Sequence, residues 1–490
     1  MFGQDISIKE KGEYDLDYAK KKSHKLRLPV RSSLSFFAFL SLGRASTFLT
    51  TPIFTRLLTP EEYALTPLYY TWLSVFSTLA TLDLTGSILL SGLSRHKKEA
   101  DRYLSSATSL TLTCALITFL IVLLWRGQFA TLTGLPVHLL LLMFLQILSG
   151  IVIASVECRA KFFYQPKRAI PSILASALLS PTVAYLLIQS GVLRAEGRIL
   201  ATVISTALVA IPSLIFLYRR GRCFFDKHIW KEQLLRALPL FPHYLALMTL
   251  AEVGRIFVGR LDSPAALAKL GVASTLSHAI PLLAAGINSA FYPWLLRRIR
   301  SRESGRVREV TTIVVKIVSF TAICLILLSP EFYSLLAPKE GYGDGLYATA
   351  PLVISSLFAF LYTIVAGVNL ECAKPSRIAM TTLLCALFGV VLTFPMVLKF
   401  GFVGASFATA LSYIFLTLLH SLLLIRTSGK DTLPLAPLPT ILLSLTLILS
   451  TILTLYLKPY LPLRLLLLCV PLLLLFDLAL RSRSLFREVQ

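Results

Sequence analysis

The sequence predicts an all-α polytopic membrane protein with 14 transmembrane helices. The chain of 490 residues is 56% hydrophobic, and its mean hydropathy is +0.74. It contains 14 apolar segments, each about as long as the roughly 20 residues that a helix needs to cross a bilayer. Lysine and arginine collect in every second gap between these segments, which is typical of a polytopic membrane protein.

The spans are assigned in chain order from the apolar runs and from the polar residues that separate them. They cover residues 33–54, 65–90, 103–125, 136–157, 170–189, 199–218, 239–258, 270–295, 310–328, 346–370, 378–398, 403–425, 440–457 and 465–480. The first 32 residues are polar and precede any apolar run, so they are predicted to form a cytoplasmic tail before an uncleaved signal anchor.

The basic residues predict the orientation. With a cytoplasmic amino terminus, the cytoplasmic segments hold 35 of the 48 basic residues, the outside loops hold 10 and the spans hold 3. The opposite orientation would exchange the first two totals, against the positive-inside rule. Both termini are therefore predicted to be cytoplasmic.

Composition and motifs exclude several functional classes. The net charge of +23 resides in short loops that flank the spans, where it sets orientation and contacts anionic lipid, so no nucleic-acid partner is expected. None of the 7 cysteines lies in a predicted outside loop, which disfavours disulfides and a metal framework. No Gly-x-x-x-x-Gly-Lys-Ser/Thr phosphate loop is present, and no cofactor is predicted. The longest outside loop, 329–345, has no Asp-x-Asp pair and no histidine, so the chain is not expected to be an enzyme.

An internal repeat predicts two lobes. Arg56-Leu57-Leu58-Thr59-Pro60 follows the first span, and Arg260-Leu261-Asp262-Ser263-Pro264 follows the seventh. Six spans separate the copies, so the halves enter the membrane from the same side as a parallel repeat. The predicted order is an N-lobe at 33–218, a basic cytoplasmic linker at 219–238, a C-lobe at 239–425, spans 13 and 14 within 426–480, and a cytoplasmic tail at 481–490. Two such lobes can enclose a cavity and rock about it, which favours transport over chemistry.

Charged residues within the spans are the candidate functional residues, because a charge at mid-bilayer costs about 2.5–3.5 kcal/mol on insertion scales. Arg44 lies halfway along the first span, and Asp83 in the second has no partner within one turn of its own helix. Glu252 occupies a depth in the seventh span similar to that of Arg44 in the first. We predict that Arg44, Arg255, Asp83 and Glu252 contribute to a substrate-binding cavity, and that Asp83 and Glu252 are ion-coupling candidates.

Simpler roles stay open for each of these residues. Arg255 lies one turn after Glu252, so it either pairs with that carboxylate or reaches the headgroups. Asp83 belongs either to a structural ion pair or to an ion-coupling site. His278 and the serines and threonines of the spans are interpreted as packing residues.

Two motifs carry a family resemblance. The segment Phe54-Thr55-Arg56-Leu57-Leu58-Thr59-Pro60-Glu61-Glu62-Tyr63 resembles the first outside turn of bacterial polysaccharide-type flippases. The segment Leu398-Lys399-Phe400-Gly401-Phe402-Val403-Gly404-Ala405-Ser406-Phe407-Ala408-Thr409 resembles the start of their twelfth span. These flippases belong to the multidrug/oligosaccharidyl-lipid/polysaccharide exporter superfamily. The chain departs from their pattern in the seventh span, where Gly254-Arg255 stands in place of Asp-Arg.

The resemblance implies a flippase that moves a polyprenyl-diphosphate-linked oligosaccharide to the outer leaflet of the bacterial inner membrane. It implies a role in surface polysaccharide or O-antigen synthesis, and thus in lipopolysaccharide, with polysaccharide polymerase and glycosyltransferases as partners beside membrane lipids. Arg44 and Arg255 would stabilise the diphosphate. Two alternatives remain: a cation-coupled exporter of small amphipathic molecules from the same superfamily, and a membrane-embedded glycosyltransferase or polymerase.

Overall fold

The structure is a computed structural model that describes residues 46–163, 165–191, 193–301 and 303–489. Within these residues the chain forms helices joined by short turns and contains no β-strand. Of these helices, 10 are long and apolar enough to cross a membrane, or 11 if the bent pair Lys227–Ala237 and Phe241–Leu261 forms one span. The all-α membrane class is confirmed, whereas the total of 14 spans stays a prediction.

The first described helix, α1, covers residues 46–57. The following helices are α2 (Pro60–Thr81), α3 (Ser87–Arg95), α4 (Ala100–Leu124), α5 (Arg126–Thr133), α6 (Val137–Phe162), α7 (Ile170–Gln189), α8 (Arg194–Gly221), α9 (Lys227–Ala237), α10 (Phe241–Leu261), α11 (Pro264–Ser277), α12 (Ala279–Arg300), α13 (Ser304–Leu327), α14 (Ser329–Leu336), α15 (Leu346–Cys372), α16 (Pro375–Ser428), α17 (Pro437–Tyr456) and α18 (Leu461–Val489).

Several of the predicted spans are bent or broken. Helix α2 ends at Thr81, and Leu82 and Asp83 then adopt left-handed φ angles of 49° and 54° before α3 begins. The second predicted span is therefore two helices and not one. Helix α16 contains two predicted spans and bends at Gly401, whose φ of 57° and ψ of −142° suit a glycine.

The two copies of the sequence repeat form the same local structure. Thr59 caps α2, because its hydroxyl accepts from the Glu62 amide (3.2 Å) while the Glu62 carboxylate accepts from the Thr59 amide (2.9 Å). Ser263 caps α11 by accepting from the Ala266 amide at 3.2 Å. A proline occupies the first turn in both helices, where its missing N–H costs nothing.

The first and second halves of the chain meet on the face that carries these two turns, which is the predicted outer face. The Thr55 hydroxyl donates to the Leu336 carbonyl at 2.6 Å. The rings of Tyr63 and Tyr342 pack edge to face with centroids 6.1 Å apart. Both residues belong to an apolar cluster that draws on α1, α2, α11 and α15, and we call this contact the outer closure.

Helix α9 lies in the predicted cytoplasmic linker and packs on the first half. Asp226 caps it by accepting from the His228 and Ile229 amides. The Glu232 carboxylate accepts from Arg95 Nε and contacts His96 Nε2, each at 2.8 Å. The Trp230 indole donates to the Ser106 carbonyl at 3.0 Å. These contacts fix the linker to α3 and α4.

Helix α18 is attached by one buried arginine. The Arg464 side chain is 3% exposed and forms two hydrogen bonds with the Glu331 carboxylate, at 2.6 and 2.9 Å. Its other N–H groups donate to the carbonyls of Leu327, Leu457 and Lys458. One guanidinium thus ties the last helix to α13 and α14.

The attachment of α9 is expected to weaken in acid. Burial alone would raise the pKa of Glu232, but hydrogen bonds and charge from His96 and Arg95 outweigh it and hold the pKa below its ordinary value. A lowered folded-state pKa stabilises the protein above the ordinary glutamate pKa, and this contribution is lost as the pH falls through the folded-state value. Glu232→Gln should therefore lower the unfolding temperature at pH 7, and its difference from wild type should shrink below about pH 4.3.

The control for this experiment is Glu99→Gln, because the Glu99 side chain is 66% exposed. Glu99→Gln should unfold at the wild-type temperature both at pH 7 and below about pH 4.3. A pH-independent difference between Glu232→Gln and wild type would show that the charge of Glu232 does not hold α9.

The Arg464 attachment should be costly to remove. Arg464→Leu removes the guanidinium donors of the partly exposed Glu331 carboxylate and of three carbonyls, so the free energy of unfolding in detergent should fall by about 1–3 kcal/mol. Lys458→Leu, an exposed change at the same end of the helix, should have little effect. Equal unfolding temperatures for the two variants would contradict this role for Arg464.

Candidate functional site

A polar cavity of about 400 Å³ lies next to the outer closure. Its walls come from α1, α2, α7 and α8 in the first half and from α10 and α11 in the second. Most side chains of the wall carry hydroxyl groups: Ser46, Thr47, Thr50, Tyr63, Thr66, Tyr70, Ser176, Ser180, Thr202, Ser274 and Thr275. The other lining residues are Phe54, Pro67, Pro181, Ala184, Arg198, Arg255, Gly271 and His278.

Arg198, near the start of α8, is the first cation of the cavity. Its guanidinium carbon lies 4.8 Å from the centroid of the Phe54 ring and 5.4 Å from that of Tyr63. These are cation–π distances, and the two rings belong to the outer closure. Its Nη1 atom is buried and has no hydrogen-bond partner among the residues that the structure describes. A buried donor without a partner is unfavourable, so an anion or another acceptor in the cavity would be stabilised there.

Arg255, on α10, is the second cation of the cavity. Its Nη1 donates to the Glu252 carboxylate one turn earlier, at 3.0 Å. Glu252 itself is 8% exposed. Of the two interpretations of Arg255 left open by the sequence, the described geometry favours the pair with Glu252, and the guanidinium also lines the cavity.

A proline shapes one wall of the cavity. Pro181 has no N–H, so the carbonyl four residues earlier, at Ala177, loses its helical donor. Helix α7 widens into a π turn over Ala175–Leu179 at this point. The Ser46 hydroxyl donates to the Ala177 carbonyl at 2.7 Å and so satisfies it. The contact joins α1 to α7 at the cavity.

Hydroxyl groups of three helices form a network on the same side. The Thr202 hydroxyl contacts Ser180 Oγ at 2.9 Å and receives a hydrogen bond from Tyr70 at 3.1 Å. It also donates to the Arg198 carbonyl at 3.0 Å. The wall can therefore offer both donors and acceptors to a polyhydroxylated ligand.

Of the four predicted site residues, Arg255 lines this cavity, whereas Asp83 and Glu252 are described but do not line it. Arg44 lies outside the described residues. Asp83 lies in the break between α2 and α3 and makes no ion pair with a described residue. Its carboxylate lies beside Gly86, where a Cβ atom would be 3.3 Å from Oδ2. The sequence predicted one continuous helix here, whereas Asp83 lies in the left-handed turn between α2 and α3.

Sequence reasoning missed Arg198, because it assigned that residue to an outside loop. One signal was present, since Arg198, Thr202 and Thr206 recur at every fourth position and so share a face of α8. The hydroxyl residues were interpreted as packing residues, yet many of them line the cavity.

A second buried polar cluster joins helices of the second half. The Thr382 hydroxyl contacts His243 Nδ1 at 2.7 Å and His420 Nε2 at 3.0 Å, and it donates to the Ile378 carbonyl. The Asn369 amide donates to the His420 carbonyl at 2.9 Å. These contacts join α10, α15 and both limbs of α16, and the buried Asn369 Oδ1 has no partner within the described residues.

The family model described as polysaccharide biosynthesis protein matches residues 31–299. No match was found among curated proteins.

Solved structures similar to this chain include a flippase and transporters. The lipid II flippase MurJ in an inward closed conformation is 15% identical, with a TM-score of 0.66 over 92% of this chain and 99% of that one. An inward-facing multidrug resistance MATE transporter of the MOP superfamily is 14% identical, with a TM-score of 0.56 over 79% and 96%. An outward-facing structure of the same kind gives 14% identity and a TM-score of 0.58 over 82% and 96%. The fold is thus of the MOP type, and these neighbours agree with the prediction that the chain is not an enzyme.

The outer closure depends on a close approach at Gly271. A Cβ atom there would lie 3.2 and 3.3 Å from two carbons of the Pro67 ring, which cannot rotate away. Gly271→Val should hold α11 away from α2 and open the cavity towards the predicted outer face. A cysteine placed at Thr66, which lines the cavity, should then react several-fold faster with an impermeant thiol reagent added outside.

The matched control is Gly259→Val. A Cβ at Gly259 would meet the flexible ends of Leu267 and Leu68 at 3.4 and 3.6 Å, which are ordinary contacts. If both valine variants label at the wild-type rate, Gly271 does not set the closure.

Proposed function

The chain belongs to the polysaccharide biosynthesis protein family, and from that premise we propose that it flips a polyprenyl-diphosphate-linked oligosaccharide across a membrane. The family match over residues 31–299 covers more than half of the chain and confirms the resemblance inferred from its motifs. We further propose that the movement runs from the cytoplasmic to the outer leaflet of a bacterial inner membrane, by alternating access with both termini in the cytoplasm. The product would serve surface polysaccharide or O-antigen synthesis, beside a polymerase and glycosyltransferases.

The observation that carries this proposal is that Arg198, whose buried Nη1 atom has no partner within the described residues, lines a cavity walled by hydroxyl groups. A diphosphate needs cationic donors in an environment of low dielectric constant, where charge-assisted hydrogen bonds are strong. Sugars need many neutral donors and acceptors, and the Ser180, Thr202 and Tyr70 hydroxyls supply them. One cavity offers both kinds of group.

The position of the cavity supports the proposed direction. It lies between the halves and is shut on the predicted outer face by the contacts of Tyr63 and Thr55. A substrate would therefore enter from the cytoplasmic leaflet in this conformation. Its lipid tail would stay in the bilayer while the headgroup crosses in the cavity.

The membrane potential can drive this movement. Two negative charges that move outward across an inside-negative membrane release roughly 5 kcal/mol per 100 mV, at about 2.3 kcal/mol per charge. In this proposal, Arg198, Arg255 and Arg44 bind the diphosphate. Asp83 and Glu252 are the candidates for an exchanged counter-ion, since both are acids within predicted spans.

The test is flipping in proteoliposomes with a fluorescent polyprenyl-diphosphate oligosaccharide and an impermeant quencher. Arg198→Gln should slow flipping roughly tenfold to a hundredfold, because it removes a charged hydrogen-bond donor from the bound diphosphate. Arg194→Gln is the matched control on the same helix. Arg194 is 48% exposed and pairs with Glu62 at the surface, so its loss should change the rate by less than about fivefold.

The same assay tests the role of Arg198 and distinguishes a lipid flippase from a small-molecule exporter. Equal rates for Arg198→Gln and wild type would remove Arg198 from the substrate site. If wild type flips none of several such lipids but exports small amphipathic cations, the small-molecule exporter of the same superfamily is the better assignment.

A further inference from the structure

Three arginines surround one aromatic ring near the predicted cytoplasmic end of α8. The guanidinium carbons of Arg168, Arg159 and Arg220 lie 4.7, 5.5 and 5.7 Å from the centroid of the Phe216 ring. Arg159 also lies 4.6 Å from the Phe163 ring. The cluster is far along the helix from Arg198 and shares no residue with the cavity. We call it the Phe216 cluster.

One carboxylate partly neutralises these three cations. Asp101, at the start of α4, accepts from Arg159 Nε at 2.6 Å and from its Nη2 at 3.2 Å. Its second oxygen lies 3.4 Å from Arg220 Nε. Arg168 donates to the neutral Gln165 side chain at 3.3 Å. Three positive charges and one negative charge leave the Phe216 cluster with a net charge of +2.

The cluster combines one buried arginine in a fixed position with two arginines that are exposed. The Arg159 side chain is 6% exposed and is held by Asp101, so its position is determined by α4 and α6. The Arg220 side chain is 48% exposed, and Arg168 is also exposed. Each guanidinium has five N–H donors, so Arg168 and Arg220 keep most of theirs for a ligand. An anion between them would offset the repulsion of like charges around one ring.

The surroundings favour a ligand with an anionic headgroup and apolar chains. Phe163 is 37% exposed beside the arginines. Helices α7 and α8 continue from the cluster into predicted spans with exposed apolar side chains, and Leu174, Ile215 and Ile211 are 45%, 47% and 61% exposed. A phosphate at the arginines with acyl chains along these helices matches both features. Basic pockets at the cytoplasmic ends of spans are known to hold such headgroups.

We propose that the Phe216 cluster binds the phosphate of an anionic phospholipid in the cytoplasmic leaflet. The headgroup bridges Arg168 and Arg220, and Arg159 fixes the inner side of the site. Because these residues belong to the ends of α6 and α8 and to the turn just before α7, the bound lipid holds these three helix ends together. The proposal concerns lipid binding alone and does not depend on the flipped substrate.

The test measures the unfolding temperature of the full-length protein in detergent as a function of added short-chain phosphatidylglycerol. The wild type should be stabilised by phosphatidylglycerol and much less by phosphatidylcholine, which carries a phosphate but no net charge. Arg168→Gln/Arg220→Gln should raise the apparent Kd for phosphatidylglycerol roughly 30-fold, since two basic residues at a membrane surface are lost. Both side chains are exposed, so the variant should fold.

Lys97→Gln/Lys98→Gln is the matched control, because it removes two exposed charges from the same predicted face that are not among the cations packed on Phe216. Its apparent Kd should stay within about threefold of the wild-type value. An equal loss of affinity in both double variants would show only general surface attraction and overturn the site. Equal stabilisation by inorganic phosphate would overturn the assignment to a lipid and indicate a free-phosphate site.

Discussion

The rule that every backbone polar group inside a membrane must find a partner within the protein explains where this structure is irregular. Regular helices satisfy the rule alone, and most of the described chain follows it. Where a helix is irregular, side chains must supply the missing hydrogen bonds of the backbone. At Pro181 the helix loses a donor, and Ser46 of another helix replaces it at the Ala177 carbonyl. A polar side chain is thereby required at the cavity wall, and the same requirement ties α1 to α7.

Helix α2 holds the two halves of the described chain in contact. Its capped start packs Tyr63 on Tyr342, and Pro67 approaches Gly271 of α11. Its next turn brings Tyr70 to the hydroxyl network of α8. The outer closure and the cavity wall are therefore built on one helix. A displacement of α2 cannot open the closure without also changing the wall.

Much of the fold follows from the sequence, because apolar length and the repeated Thr59-Pro60 and Ser263-Pro264 turns are local signals. At both turns the hydroxyl of the capping residue accepts from the amide three residues later. Arg255 was also predictable, since an arginine in an apolar run needs a reason to be there. The role of Arg198 was harder to predict, because a basic residue at the end of a span normally reaches the headgroups. Its guanidinium lies beside Phe54 and Tyr63, which are far from Arg198 in sequence and line the same cavity.

In the proposed function, the charges at and beside the cavity would couple substrate binding to the binding of a cation. Arg255 is already paired with Glu252 at 3.0 Å, so Arg198 is the described cation whose buried Nη1 has no acceptor within the described residues. A diphosphate that enters the cavity would engage Arg198 first. It would gain Arg255 as well only if Glu252 released that side chain, and a carboxylate releases an arginine when a proton or metal cation replaces it. In the proposed function, a cation on Glu252 and an anion on Arg255 therefore favour each other. Once the anion has left towards the outer leaflet, Arg255 and Glu252 would pair again, which returns the site to its starting state for the next substrate.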